Sequence, residues 1–298
     1  MEWQQIVGFY QVARLRSFTK AAEATFRTQP ALSQQVKALE EELVCQLFER
    51  VGKRQLRLTL EGECFFRFAE WVLQAFDSFK EELEELKGSH KGQLKIAAPF
   101  TTLYHLFPEI IERYVSLFSG IELTLLDRSQ DRVVELVRDG DVDFGFVLET
   151  IVPHGLVAIR WKQVETVLMV PSGHPLASGS PISLEQVAGY PLILPPRHRM
   201  HAGRMLLEEQ LKKLGKDYRI FMESSNIELS AVYVEMGLGV SLATVVRGLP
   251  VLVQRKLEFL PLGHPFEPDY IALVTRKDKV VASHKKAFMK MLLGECDH

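Results

Sequence analysis

The chain has 298 residues, 47% hydrophobic and 25% charged, a balance that excludes a disordered polymer and allows about two domains of roughly 150 residues. No apolar run approaches the ~18 residues of a membrane span, and the start, MEWQQIVGFYQVARLRSF, carries early charge instead of a secretion signal; a cytoplasmic protein with no membrane partner is expected. The net charge of -2 hides an uneven spread, since residues 1–58 hold nine Lys and Arg against six Asp and Glu while the rest is acidic, so nucleic acid contact is suited to the N-terminal end alone.

Trp3 to Leu15 puts Ile6, Phe9, Tyr10 and Ala13 on one helical face, with Val7 beside them. Ser17 offers an N-cap for a short helix over FTKAAEATF, whose Ala21, Ala22 and Ala24 are small enough for another helix to cross closely. After a tight turn, Thr28 caps a third helix and Pro30 sits in its first turn, where a missing N–H costs nothing. Leu32, Val36, Leu39 and Leu43 form the apolar stripe of that helix. Its outer face is Gln29, Ser33, Gln34, Lys37 and Glu41; amides and hydroxyls suit base edges as well as they suit solvent. Arg27 and Lys37 stand where phosphates on either side would meet them. LFERVGKRQLRLTLEG then reads as a basic hairpin around Gly52, with Arg50, Lys53, Arg54 and Arg57 in it, a backbone-contacting wing.

From Thr59 to Lys87 a single long helix is expected, because Glu63 to Lys87 contains no glycine or proline. Phe65, Ala69, Val72, Phe76, Phe79, Leu83 and Leu86 are spaced 4, 3, 4, 3, 4, 3, which is a heptad seam for pairing two copies. Phe66, Phe68, Trp71 and Leu73 widen the stripe in the first half, where packing on the preceding domain is the other option. KGSHKG supplies a hinge.

From Gln93 short β-rich runs alternate with helical ones: QLKIAA, LFPEIIERYVSLF, IELTLLD, DRVVELVRDG and VDFGFVL, a βαβαβ pattern. LVAIRW and ETVLMVP follow as strands, and a second set runs from SLEQVAG through PLILP, GRMLLEEQLKKLG, RIFMES, NIELSAVYVEMGLG and VSLAT. Ser183 with Gln186 and Ser225 with Glu228 are capping boxes. DYIALVTRK and a helix from Val280 to Leu292 close the chain.

Thr101 and Thr102 directly follow the first strand of this region, where ligands of open α/β sheets bind. PRHRMH places Arg197, His198, Arg199 and His201 in one loop, which suits a carboxylate or inorganic anion as well as a solvated surface. Asn226 starts the next helix. Leu148 and Glu149 end the strand DFGFVL and would line the facing side.

Cys45, Cys64 and Cys296 are widely separated and lack a CxxC, so neither a disulfide framework nor a zinc site is indicated and buried thiols are expected. GVSLA is an incomplete GxSxG without marked Asp or His partners, GLG lacks the rest of a dinucleotide fingerprint, and His198 with His201 has no third ligand. No enzyme, cofactor or metal is indicated.

SFTKAAEATFRTQPALSQQVKALEEELVCQLFERVGKRQLRLTLEG resembles the N-terminal winged helix-turn-helix of the LysR-type transcriptional regulators, which carry SF, AA, Q-P-A-L-S, LE, LF-x-R and LT-xx-G at this spacing. GQLKIAA, GDVDFGF, SGHPLA and VEMGLGVSLA resemble that family's effector domain more loosely. The resemblance implies a mixed fold: a mainly α winged helix-turn-helix over residues 1–58, a linker helix and hinge over 59–89, and an α/β effector-binding domain over 90–298 similar to type 2 periplasmic binding proteins. Subdomain I would take 91–162 with 267–298 and subdomain II 163–266. It further implies Thr28, Gln29, Pro30, Ser33, Gln34 and Lys37 at recognition positions, Arg50 and Arg54 on the wing, Thr101 at the effector, and pairing into a homodimer and a dimer of dimers on promoter DNA, with RNA polymerase as a further candidate partner. Val44 departs from the family's glycine at the end of the recognition helix, and since a β-branched residue resists positive φ, whether it alters the helix-to-wing turn is left open by the sequence. A solute-binding protein that only sequesters its ligand is the alternative reading.

Overall fold

Small residues and capping side chains set the first three helices of the computed structural model, which describes residues 1–51, 55–86, 92–178, 182–197, 202–224, 226–246, 254–277 and 281–294. They are α1 (Trp3–Leu15), α2 (Phe18–Ala24) and α3 (Gln29–Leu43). Ser17 and Thr28 cap α2 and α3 as expected, their hydroxyls accepting from the backbone N–H of Lys20 and Ala31 at 3.3 and 3.4 Å. Ile6, Phe9, Val12, Ala21, Ala22, Leu32, Val36 and Leu39 share one buried core. Two residues depart from expectation. Ala24 is exposed, and the close crossing is made by Gly8, where an added Cβ would lie 2.7 Å from Leu32 Cδ1. Leu43 is 38% exposed, so the fully buried stripe of α3 ends at Leu39.

Val44 does not alter the turn. It adopts the left-handed conformation itself, φ 54° and ψ 35°, with its N–H donating to Glu41 O and that of Cys45 to Glu40 O, the Schellman closure a glycine would make. The chain retains the turn at a strain of roughly 1–2 kcal/mol. From the last turns of α3, Glu40 Oε1 accepts from the N–H groups of Leu47 and Phe48 at 2.7 and 3.2 Å. This holds the entry to β1 (Phe48–Val51), which pairs antiparallel with β2 (Gln55–Leu58).

Thr59 Oγ1 accepts from Gly62 N at 2.9 Å and so starts α4 (Leu60–Leu86), a 27-residue helix about 40 Å long. Phe65 and Ala69, expected on a pairing seam, instead lie in the core of the winged fold, with Phe65 edge-on to Phe9 at 4.8 Å. Val72 packs at the margin of that core. Beyond it Phe76, Phe79, Leu83 and Leu86 are 42%, 51%, 38% and 85% exposed, so only the distal part of the seam is open. Cys64 is exposed and Cys45 half-buried, against the expectation of buried thiols; Cys296 lies outside the described residues.

The chain divides into two compact units, residues 1–89 with 278–283 and residues 90–277 with 284–298. The second is built on one nine-stranded sheet. Its first part contains β3 (Gly92–Ala98), α5 (Phe100–Leu106), α6 (Pro108–Leu117), β4 (Ile121–Asp127), α7 (Gln130–Arg138) and β5 (Phe144–Leu148). The helix expected over LFPEIIERYVSLF is α6, which begins at Pro108 in its first turn, where a missing N–H is tolerated; α5 is a separate short helix before it. The two strands expected over LVAIRW and ETVLMVP are one, β6 (Leu156–Pro171). Then come α8 (Leu184–Ala188), β7 (Leu192–Leu194), α9 (Ala202–Lys213), β8 (Ile220–Glu223), α10 (Ile227–Glu235), β9 (Val240–Val246), β10 (Leu257–Pro261), β11 (Asp269–Arg276) and α11 (Ser283–Leu293); β10 was not anticipated.

The strand order β4-β3-β5-β11-β6-β9-β7-β8, with β10 also on β6, makes two half-sheets that share β6. Residues 156–164 of β6 pair with β11, and residues from Val164 onward pair with β9 and β10. Each half has its own core: Ala97, Val133, Val137 and Val274 in one, Leu168, Leu192, Leu207 and Val240 in the other. The Ser183–Gln186 capping box is present on α8. The cap of α10 is Asn226, whose Oδ1 accepts from Leu229 N at 2.8 Å, in place of the expected Ser225–Glu228 box; Ser225 lies outside the described residues.

Candidate DNA interface and effector cavity

The N-terminal turns of α3 present Thr28, Gln29, Pro30, Gln34 and Lys37 to solvent, with Ser33 half-buried. Lys37 Nζ stands 3.6 Å from Glu41, an exposed i,i+4 pair that holds the lysine only weakly. Arg27 differs from its expected role: it is half-buried and its guanidinium donates to Gln35 and Gln4, tying α3 to α1. Of the wing, Arg57 is exposed; the Arg50 side chain and all of Lys53 and Arg54 lie outside the described residues. Phe26, in the turn before α3, is 98% exposed and went unremarked in the sequence.

In the second unit a cavity of about 530 Å³ opens between the half-sheets, within the size range of small-molecule sites. Thr101, Thr102, Leu148 and Asn226 all line it. The threonines are placed by α5, which starts straight after β3, and Thr102 is buried at 7% exposure. Leu148 comes from the end of β5, its N–H held by Gln130 Oε1 at 2.8 Å.

Glu149 and Arg197 are not among the lining residues. Glu149 accepts from Arg160 Nε with both oxygens, at 2.9 and 2.8 Å. Arg197 donates to Glu208 Oε1 from Nε and Nη2 at 3.4 and 3.2 Å. Arg204, buried at 2% exposure, donates to the same oxygen at 3.0 Å. Burial pushes the Glu208 carboxyl up, but the hydrogen bonds and charges of Arg204 and Arg197 outweigh it and hold it below the ordinary value of 4.5. His198, Arg199 and His201 lie outside the described residues.

Sequence reading missed several lining groups. Arg128 is the described lysine or arginine in the lining, and its Nη1 donates to Asp127 O at 2.6 Å; Asp127 and Asp131 bring carboxylates. His105 also lines the cavity and its Nε2 lies 2.8 Å from Glu228 Oε1. This pair joins α5 of one half to α10 of the other. Nothing in spacing could reveal it, because the partners are 123 residues apart. Ser241 of GVSLA sits inside β9 at 1% exposure, its hydroxyl donating to Leu242 O, so it forms no nucleophile elbow. Among the described residues no group of His, Cys, Asp and Glu could hold a metal, and no helix is long and apolar enough to cross a membrane.

A winged helix-turn-helix, a long connecting helix and an α/β unit with a ligand-sized cavity define a DNA-binding regulator that answers to a small molecule. Residues 3–63 match the model of the bacterial regulatory helix-turn-helix proteins of the lysR family, and residues 87–297 match the LysR substrate binding domain. The chain therefore belongs to the LysR family of transcriptional regulators, which are not enzymes. The HTH-type transcriptional regulator YybE of Bacillus subtilis is 31% identical over 297 residues, covering 99% of each chain. The RuBisCO operon transcriptional regulator of Allochromatium vinosum is 31% identical over 98% of this chain and 95% of its own. CysB of Burkholderia cenocepacia is 28% identical over 93% and 88%. Among solved structures, a full-length OxyR variant of Pseudomonas aeruginosa has a TM-score of 0.64 at 22% identity, covering 99% of this chain and 97% of that one; HinK of the same organism has 0.58 at 22%, covering 99% and 98%. These two share the fold.

Proposed function

We propose that this LysR-family regulator acts in the cytoplasm as a homodimer, or a dimer of dimers, whose grip on promoter DNA changes when a small organic acid enters the cavity between its half-sheets. The cavity lined by Thr101, Thr102, Leu148 and Asn226 carries the proposal. Its size favours an organic molecule over a bare inorganic anion. Leu106, Val147, Leu148, Val164, Leu242 and Ile271 would take the apolar body, and the hydroxyls of Thr101 and Thr102 with Arg128 would take a carboxylate. Asp127 and Asp131 favour a ligand that also carries a hydrogen-bond donor.

On the DNA side, Gln29, Pro30, Ser33 and Gln34 would meet base edges while Thr28, Lys37 and the wing arginines meet phosphates. Ligand-driven closure of the two halves would shift the population of oligomer arrangements and so the spacing or bend of the bound half-sites. The test pairs two measurements. A thermal-shift panel of small organic acids should raise the unfolding midpoint of the full chain, and Thr101→Val with Thr102→Val should abolish that rise. The active acid should then change the footprint or bend on a selected duplex. A shift given only by sulfate or phosphate would overturn the organic-acid assignment; a bound acid that leaves footprint and bend unchanged would overturn the mechanism.

A further inference from the structure

We infer that Phe26 is a DNA-contacting residue of this regulator, laying its ring on apolar DNA surface at the edge of the major groove beside the N-terminus of the recognition helix. The inference rests on the family's DNA binding and adds a residue outside the recognition helix. Phe26 is 98% exposed and has φ 54°. Exposing a whole phenyl ring and holding a bulky residue in left-handed backbone are both unfavourable in a free chain.

The fold nonetheless fixes this residue firmly. Phe26 N donates to Glu23 O at 3.2 Å and Arg27 N to Ala22 O at 2.8 Å, closing α2. The neighbouring Arg27 is bound on both sides, to Gln4 and Gln35. The ring is therefore carried on a braced turn two residues ahead of the helix cap Thr28 and of the exposed Gln29 and Pro30. A thymine C5-methyl or the face of a deoxyribose is the apolar surface that DNA offers there.

Strain alone does not single out Phe26, because Val44 shares it at φ 54° and is 89% exposed. Val44 lies at the opposite end of α3, about 22 Å along the helix, and so serves as an internal control. The experiment uses the full chain, duplexes recovered by in vitro selection from a random pool, and fluorescence anisotropy alongside thermal unfolding. Phe26→Gly should unfold at a higher temperature than wild type yet bind the selected duplex about tenfold more weakly, the effect of burying part of a phenyl ring. Phe26→Ala should lose the same affinity. Val44→Gly should also unfold later but bind as wild type does.

Replacing thymines by deoxyuridine distinguishes the two surfaces. Weaker wild-type binding that Phe26→Ala does not share identifies a thymine methyl; no effect of uracil, with the loss extending to random duplex, identifies sugar. Phe26→Gly and Phe26→Ala binding within twofold of wild type would overturn the inference. A wild-type chain that selects no duplex would overturn DNA binding itself along with it.

Discussion

Val44 shows how one residue can follow a family's geometry without its chemistry. Its side chain is almost wholly exposed, so exchange for glycine removes no buried surface and relieves only the left-handed strain. Val44→Gly should stabilise the winged unit by about 1 kcal/mol, the strain relief less the entropy of an added glycine, read as a later unfolding midpoint; an earlier one would contradict the strain assignment. Glu208 gives a test by pH. Its carboxyl is held below 4.5 in the folded chain, so the stability it contributes is fully present above that value and is lost as pH falls through the lowered one. Glu208→Gln should therefore flatten the acid limb of the stability profile of the second unit. Caps such as Ser17, Thr28 and Ser183 were legible in the sequence because they act within a turn. The commitment of Arg27 to Gln4 and Gln35, and of Arg197 to Glu208, was not, because it depends on side chains from other elements.

Among elements, α4 best separates what periodicity can and cannot convey. The heptad spacing correctly marked one apolar face of a long helix, but spacing does not say which partner each turn meets. Phe65 and Ala69 went to the winged core because α1 already supplies Phe9 and Tyr10 beside them, with Tyr10 stacked on Phe66 at 5.2 Å. The exposed turns after Val72 are the face on which the proposed pairing of two copies would rest. Phe79→Arg with Leu83→Arg should yield a folded monomer in sedimentation, since both side chains already tolerate solvent. Ala69→Arg should instead unfold the winged unit, because it places a charge in a packed core. If the double variant still sedimented as a dimer, pairing through this face would be refuted. Strands β10 and the joined β6 escaped sequence reading for a related reason: an edge pairing such as Leu257 with Pro171 is set by tertiary register, which local pattern does not encode.

At the level of the second unit, the two half-sheets meet along β6 and across the cavity at His105 and Glu228. Nε2 and Oε1 at 2.8 Å, both partly buried, make this contact a clasp on the state in which the cavity is formed. Removing it should cost about 1 kcal/mol of that state, or roughly fivefold in affinity for an activating acid. Titration of His105→Ala by calorimetry measures this; unchanged affinity would show that the clasp does not hold the binding-competent form. The overall architecture was legible because each domain carries several independent signals that agree. Of the basic loop, Arg197 is drawn away from the cavity because a run of like residues says nothing about the acids waiting nearby, here Glu208 and, for the adjacent helix's Arg204, Glu223.

The carboxylate of Glu40 carries a consequence for how such a molecule inspects DNA. Standing on the body of α3 and accepting from the N–H groups of Leu47 and Phe48, it ties that helix to the strand entering the wing, so that the two would meet a duplex as the jaws of one caliper. A caliper of fixed opening measures. Duplexes whose groove width matches the opening would seat without distortion, and others would have to be bent or widened at a sequence-dependent cost. Glu40→Gln would loosen the jaws and blunt discrimination between stiff and flexible flanks, even with every base-facing side chain intact, narrowing the spread of affinities across duplexes that differ only in their flanks; an unchanged spread would contradict it.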